Sequence, residues 1–90
     1  IDQIHQKRLG FRQEIDVRGF RASEAVDAVA YFVDEALQLG VNQVRILHGT
    51  GTGALRESIR TYLSDVSGVE HFHDEDVRFG GAGITVVEMA

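Results

Sequence analysis

The sequence contains no cysteine and no proline, and only one of its nine basic residues is a lysine. Without cysteine, a disulfide-stapled fold, a thiolate zinc site and a cysteine nucleophile are all excluded. A reducing, cytoplasmic setting is the matching expectation. No apolar run approaches the roughly 20 residues of a membrane span, and no signal-peptide core is present. At 90 residues the chain has room for one domain. A domain of that size hides only about 60–65% of its unfolded surface, so every apolar face must be used. The hydrophobic fraction of 43% is that of a globular chain rather than a disordered acidic tail.

What is present is acidic overall and rich in arginine. Fourteen acids against nine bases give a formal charge of −5, which argues against non-specific attraction to nucleic acid. Arginine's planar fork, however, grips phosphate or carboxylate in a bidentate manner that lysine cannot match. Where the arginines sit therefore matters more than the total. The chain begins at Ile1 without Met, the start expected of a piece of a longer protein.

Residues 1–13 are polar and aperiodic, and read as a linker or N-terminal arm; the folded domain is expected over 14–90. Glu14-Ile15-Asp16-Val17-Arg18 alternates as a short half-buried strand does, and Gly19 ends it. Ala25, Val26, Val29, Phe32, Val33, Ala36 and Leu37 build one helical stripe over Ala22–Leu39, with Gly40 beyond its end. Val41–Leu47 reads as a buried strand and Ala54–Asp65 as a second helix. Val69–His73 and Gly83–Glu88 read as two final strands. The order β-α-β-α-β-β predicts a two-layer α/β sandwich, a four-stranded mixed sheet with both helices on one face.

The loop His48-Gly49-Thr50-Gly51-Thr52-Gly53 carries the chemistry. Three alternate glycines allow left-handed backbone, so that successive N–H groups converge on an anion at the positive end of the helix that follows. Thr50 and Thr52 add hydroxyls, Arg56 lies in that helix's first turn, and His48 sits at the strand's carboxyl end. The lysine and spacing of a Walker loop are missing, and the glycines do not fit a dinucleotide fingerprint. The bland alternative is a turn that merely joins strand to helix. Asp16 and Arg18 end the first strand, where ligands gather in parallel sheets. Their alternative is a structural pair with each other.

Together, Ile15-Asp16-Val17-Arg18-Gly19 and His48-Gly49-Thr50-Gly51-Thr52-Gly53 resemble the two signatures of the Smr (small MutS-related) domain, an LDLHG-type strand end and an HGxGxG loop. Ala54-Leu55-Arg56 and the Gly83–Glu88 strand extend the likeness to most of Glu14–Met89. Arg18 stands where the family usually has histidine. In this it is similar to Smr domains at the C-terminus of the second-type bacterial MutS paralogue. The resemblance implies a fold like the C-terminal domain of translation initiation factor three. It also implies nicking of DNA or cleavage of RNA, with links to suppression of recombination and to ribosome rescue. DNA, RNA and the ribosome are the implied partners, and the parent is expected to be a homodimer through regions absent here. Asp16 and His48 become catalytic candidates. Gly49, Gly51 and Gly53 would shape the loop, with Arg18, Arg56, Thr50 and Thr52 on phosphate and Arg21 extending that surface.

In chemical terms, His48 would move a proton near neutral pH. Asp16 would orient it, activate water, or hold a divalent ion such as Mg2+ or Mn2+; a lone carboxylate is thin for a two-metal centre, so one metal or none is expected. The rival is a module that binds nucleic acid or the ribosome and cuts nothing. His71 and His73 share a strand face beside acids, which reads as a solvated edge rather than a metal site, with Phe72 in the core. Arg60 and Arg78 either extend the phosphate surface or pair with acids such as Glu57 and Glu24. Phe79, between arginine and glycine, is expected to bury against the sheet rather than stack on a base. Asp27, Asp34 and Glu35 read as the solvated helix face.

Overall fold

A computed structural model describes residues 10–90. The elements are β1 (Glu14–Asp16), α1 (Ala22–Gln38), β2 (Gln43–Leu47), α2 (Ala54–Leu63), β3 (Val69–Asp74) and β4 (Ile84–Met89). Two single 3-10 turns, Val77–Phe79 and Gly81–Gly83, lie between β3 and β4. This is the order expected from the sequence, with strand and helix ends shifted by a residue or two. The sheet runs β1-β2-β4-β3. β1 pairs with β2 in parallel, and β4 is antiparallel to both β2 and β3. The last strand thus inserts between the two earlier ones.

Alternation along the strands divides the sheet into two faces. Val44, Ile46 and Val87 are fully buried beneath the helices, where Ala25, Val29, Val33 and Ala36 of α1 meet Ile59 and Leu63 of α2. The opposite face carries Glu14, Arg45, Glu75, His73 and Glu88, joined by Arg45–Glu14, Arg45–Glu75 and His73–Glu88 pairs. One apolar layer therefore holds two helices, and the second face of the sheet is polar except where Ile84 and Val86 are buried.

Local sequence sets the element ends. The Glu24 carboxylate accepts from the backbone N–H of Arg21, which precedes α1. At the other end Gly40 takes φ 71°, and Val41 N–H reaches back to the Ala36 carbonyl at 3.0 Å. That six-to-one bond is a Schellman closure, and buried Val41 completes it.

Phe11 stacks on Phe32 at 5.3 Å between ring centres, and the Gln13 carbonyl accepts from Arg45 N–H at 2.8 Å. Phe11 and Gln13, which the sequence places in the linker or arm, thus contact the domain, and residues 1–9, including His5, lie outside the described residues. Phe79 is 62% exposed, not buried against the sheet. The 3-10 turn lifts it off the strands, and the Arg78 guanidinium stands 5.4 Å from its ring centre.

Candidate functional site

The parallel pairing of β1 with β2 brings two strand ends together, and the loops that leave them form a cleft of about 340 Å³. Gly19, Phe20 and Ala22 line one wall; His48 and residues 49–56 line the other. Gly49, Gly51 and Gly53 have φ of 78°, 35° and 85°, left-handed conformations that an L side chain resists. The loop is anchored at its root, where the Gly83 carbonyl accepts from His48 N–H at 3.1 Å and Gly49 N–H at 2.9 Å.

Past the glycines the loop becomes α2. Ala54 N–H is met by the Thr52 hydroxyl at 3.3 Å, and the first helical bond runs from Glu57 N–H to the Gly53 carbonyl. The amides of Leu55 and Arg56 have no acceptor among the described residues. Unpaired amides and the helix dipole both favour an anion in the cleft. The Arg56 guanidinium pairs with Asp74 at 2.9 Å but stays partly exposed, and its Nε is buried without a partner among the described residues.

His48 is the buried member of the site, only 5% exposed. Its Nδ1 lies 2.8 Å from the Gly49 carbonyl and its Nε2 lies 2.7 Å from Thr85 Oγ1. A carbonyl only accepts, so Nδ1 carries the proton. Arg60 donates twice to Thr85 Oγ1, at 3.1 and 3.0 Å, which directs the Thr85 hydroxyl proton onto Nε2. The ring is thus a neutral imidazole held at both nitrogens. Burial pushes its pKa below the ordinary histidine value, with the nearby Arg60 and Arg56 charges helping and the Gly49 carbonyl opposing.

Asp16 occupies the other face of the sheet. It pairs in register with Leu47, the residue before His48, so its carboxylate and the imidazole point in opposite directions. Arg18 clamps it in bidentate fashion, Nε at 2.9 Å and the terminal nitrogen at 2.6 Å, with the Arg18 backbone N–H adding a third bond at 3.1 Å. The Arg18 side-chain bonds above all hold the Asp16 pKa at about 2. The structural pairing weighed from the sequence is what the fold adopts. Arg18 also runs beside Gly49, its Cγ 3.6 Å from where a Gly49 Cβ would stand. A smaller groove of about 220 Å³ lies there, lined by Arg18, Leu47, Gly49, Thr50, Gly80, Gly83 and Ile84.

The structure therefore gathers His48, residues 49–53 and Arg56 around one cleft. Asp16 and Arg18 stand outside it. Arg21, exposed where α1 begins, forms no ion pair among the described residues. Arg60 and Arg78 pair with Asp74 and Asp76, not with Glu57 or Glu24. Thr85, Asp74 and Phe20 were missed by the sequence reading. Thr85 left a signal, a polar residue at an inward position of an otherwise apolar strand.

Fold and cleft define the class: a small two-layer α/β domain whose glycine-rich strand-to-helix loop and Arg56 line a cleft at the ends of two parallel strands. The chain belongs to the Smr domain family, whose model matches residues 15–90. It is similar to the endonuclease MutS2 of Geobacillus sp. strain WCH70, 40% identical over 76 residues, which are 84% of this chain and 10% of that protein. Endonuclease MutS2 of Listeria innocua is 39% identical over 89 residues, 99% of this chain and 11% of that protein. The chain thus spans about a tenth of the length of these relatives. Among solved structures, the Smr domain of Thermus thermophilus MutS2 superposes with a TM-score of 0.83 at 44% identity, covering 86% of this chain and 96% of that one. The stand-alone small MutS-related protein YdaL of Escherichia coli shares the fold, with a TM-score of 0.80 at 21% identity over 97% of this chain and 74% of that one.

Proposed function

We propose that this domain binds the phosphodiester backbone of nucleic acid at the glycine loop and hydrolyses it, as the endonuclease name of its MutS2 relatives suggests. The observation that carries this reading is the left-handed glycine loop that aims unpaired α2 amides, together with Arg56, into a cleft walled by Phe20. Phosphate oxygens are the acceptors such a cradle fits best. Arg18 on the opposite rim, and Arg21 beyond Phe20, extend the grip along a strand. Phe20 is 44% exposed, which leaves its ring free to lie against a sugar or base.

In hydrolysis, water adds to phosphorus, the bond to one ester oxygen breaks, and that oxygen takes a proton. Charge accumulates on the non-bridging oxygens, where loop amides and Arg56 lower its energy. Asp16 remains ionised throughout the physiological range. Once phosphate draws Arg18 away, its carboxylate becomes free to orient water or to hold a single Mg2+ or Mn2+ ion. His48 acts from behind the loop. Its Nδ1–H fixes the Gly49 carbonyl, and proton transfer at Nε2 requires the Thr85 hydroxyl to swing aside.

A second reading, binding without cutting, has its own support: both His48 nitrogens are already bonded, and Asp16 lies across the sheet. One experiment separates the two. The purified domain is incubated with supercoiled plasmid and with a structured RNA, in magnesium, manganese or chelator, beside His48→Ala and Asp16→Asn. Cleavage lost in the variants at similar affinity supports the nuclease, and the chelator lanes decide the metal. Binding without cleavage in every lane selects the second reading. The relative cutting of plasmid and RNA distinguishes the nucleic acids. Roles in recombination or at the ribosome, and a homodimeric cytoplasmic parent, are proposals about the longer protein.

A further inference from the structure

On the polar face of the sheet, β3 and β4 place His71, His73 and Glu88 around one point. Register pairs His71 with Glu88 and His73 with Val86, so that all three ligand-bearing side chains project from the same face. An irregularity in pairing between Val69 and His71 shifts the β3 register just before the first histidine. One donor atom from each of the three residues lies within 4.8 Å of the others. The sequence shows the two histidines but not the glutamate, which comes from a strand that pairs with theirs only in the folded sheet.

The donors are also oriented. His73 Nδ1 is 2.8 Å from the Asp74 carbonyl, which takes its N–H and turns Nε2 toward Glu88 Oε2 at 3.1 Å. A backbone carbonyl behind the non-ligating nitrogen is the usual outer support of a metal-binding histidine. Gln43 Nε2 donates to the same Glu88 oxygen at 3.1 Å and steadies the carboxylate. The His71 ring stands 6.1 Å from that of His73, tilted by 33°.

We propose that His71, His73 and Glu88 form a binding site for a divalent transition-metal ion, zinc in the first instance, separate from the glycine loop. Two imidazoles and one carboxylate suit zinc and its neighbours, whereas calcium and magnesium prefer oxygen ligands. Zinc bound at about 2.0–2.2 Å to each donor spaces those donors by about 3.5 Å. Exposed His71 and His73 reach that spacing by small side-chain rotations. Three protein ligands leave a coordination position open to water or to a donor from a partner molecule. Glu88 lies four residues along β4 from Ile84, about 13 Å from the strand end beside the glycine loop. The ion would therefore sit far from the proposed phosphate cleft.

The test is calorimetric titration of the whole 90-residue chain with zinc chloride in a non-chelating buffer, alongside NMR of the histidine side chains. One equivalent is expected to bind with micromolar affinity, moving the His71 and His73 resonances, while magnesium chloride gives no saturable heat. His71→Ala and His73→Ala should each weaken zinc binding at least tenfold. Both positions are exposed, and circular dichroism would check that the variants remain folded. Glu88→Gln keeps the hydrogen bond to Gln43 feasible yet should also weaken binding. Absence of saturation by about 1 mM zinc would overturn the proposal. Unchanged affinity in the His71→Ala/His73→Ala double variant would do so equally, by locating the ion elsewhere.

Discussion

At the scale of single residues, His48 shows how burial decides chemistry. Its ring is enclosed, bonded at both nitrogens, and faces Arg60 and Arg56, so the fold disfavours its charged form. The unfolded chain therefore takes up this proton more readily than the folded one. The stability His48 contributes is complete above the ordinary histidine value near 6.5 and declines as pH falls below it. In a nitrogen-15 NMR titration, His48 should hold its Nδ1–H tautomer at neutral pH and titrate below 6.5. His73, supported by the Asp74 carbonyl and Glu88, should titrate above it. A His48 midpoint above that of His73 would refute the arrangement. Gly53 gives a second test at this scale. A Cβ there meets nothing within 4 Å, but φ is 85°, so Gly53→Ala introduces backbone strain without a clash. Left-handed strain of about 1–2 kcal/mol should lower the thermal midpoint by at least about 4–8 °C in a domain of this size. The sequence showed both residues plainly, because a histidine at a strand end and alternate glycines are local signals. It could not show that Asp16 answers to Arg18 and not to His48, since strand register decides which face each side chain takes.

At the scale of elements, the contact between α2 and the sheet is organised by Arg60. Its guanidinium bonds Asp74 of β3 at 2.6 Å and Thr85 of β4, and its carbon lies 5.6 Å from the centre of the Phe72 ring. One side chain thus ties the helix to two strands and also fixes the hydroxyl that faces His48. Removing it leaves Thr85 and Asp74 to find new partners. Charged hydrogen bonds of this kind contribute about 1.5–3 kcal/mol, so Arg60→Met should destabilise the domain by about 2 kcal/mol in urea unfolding. The same change should loosen the His48 tautomer in the NMR experiment. An exposed change on the same helix, Glu57→Gln, should leave stability within about 0.5 kcal/mol. Helices were the most legible elements, because an apolar stripe repeats every three or four residues within one segment. The clamp was not legible. It depends on β4 inserting between β2 and β3, a long-range pairing that no local pattern encodes. Phe79 was misread for a related reason: an aromatic between short turns reads as core until the hairpin geometry lifts it clear.

At the scale of the whole molecule, a formal charge of −5 opposes any approach to a polyanion, while Arg56 in the cleft and Arg18 and Arg21 outside it would grip one. The acids are unevenly placed. Glu14, Glu75 and Glu88 lie on the open face of the sheet, partnered by Arg45 and His73, whereas Leu55 and Arg56, whose amides have no acceptor among the described residues, line the cleft of the glycine loop. Long-range repulsion falls off over roughly a Debye length, about 8 Å at physiological salt, and short-range contacts decide the outcome once a strand is seated. If Arg18, Arg21 and Arg56 each meet one phosphate of single-stranded nucleic acid, log affinity should fall against log salt with a slope of about −2. Repulsion from the net negative charge, itself screened by salt, would make the slope shallower than that. Fluorescence anisotropy with a labelled single strand at several salt concentrations measures it directly. Arg56→Ala should weaken binding and reduce the magnitude of the slope by about 0.7. A slope near zero with unaltered affinity in Arg56→Ala would mean that phosphate is held elsewhere, and the glycine loop would lose its proposed ligand.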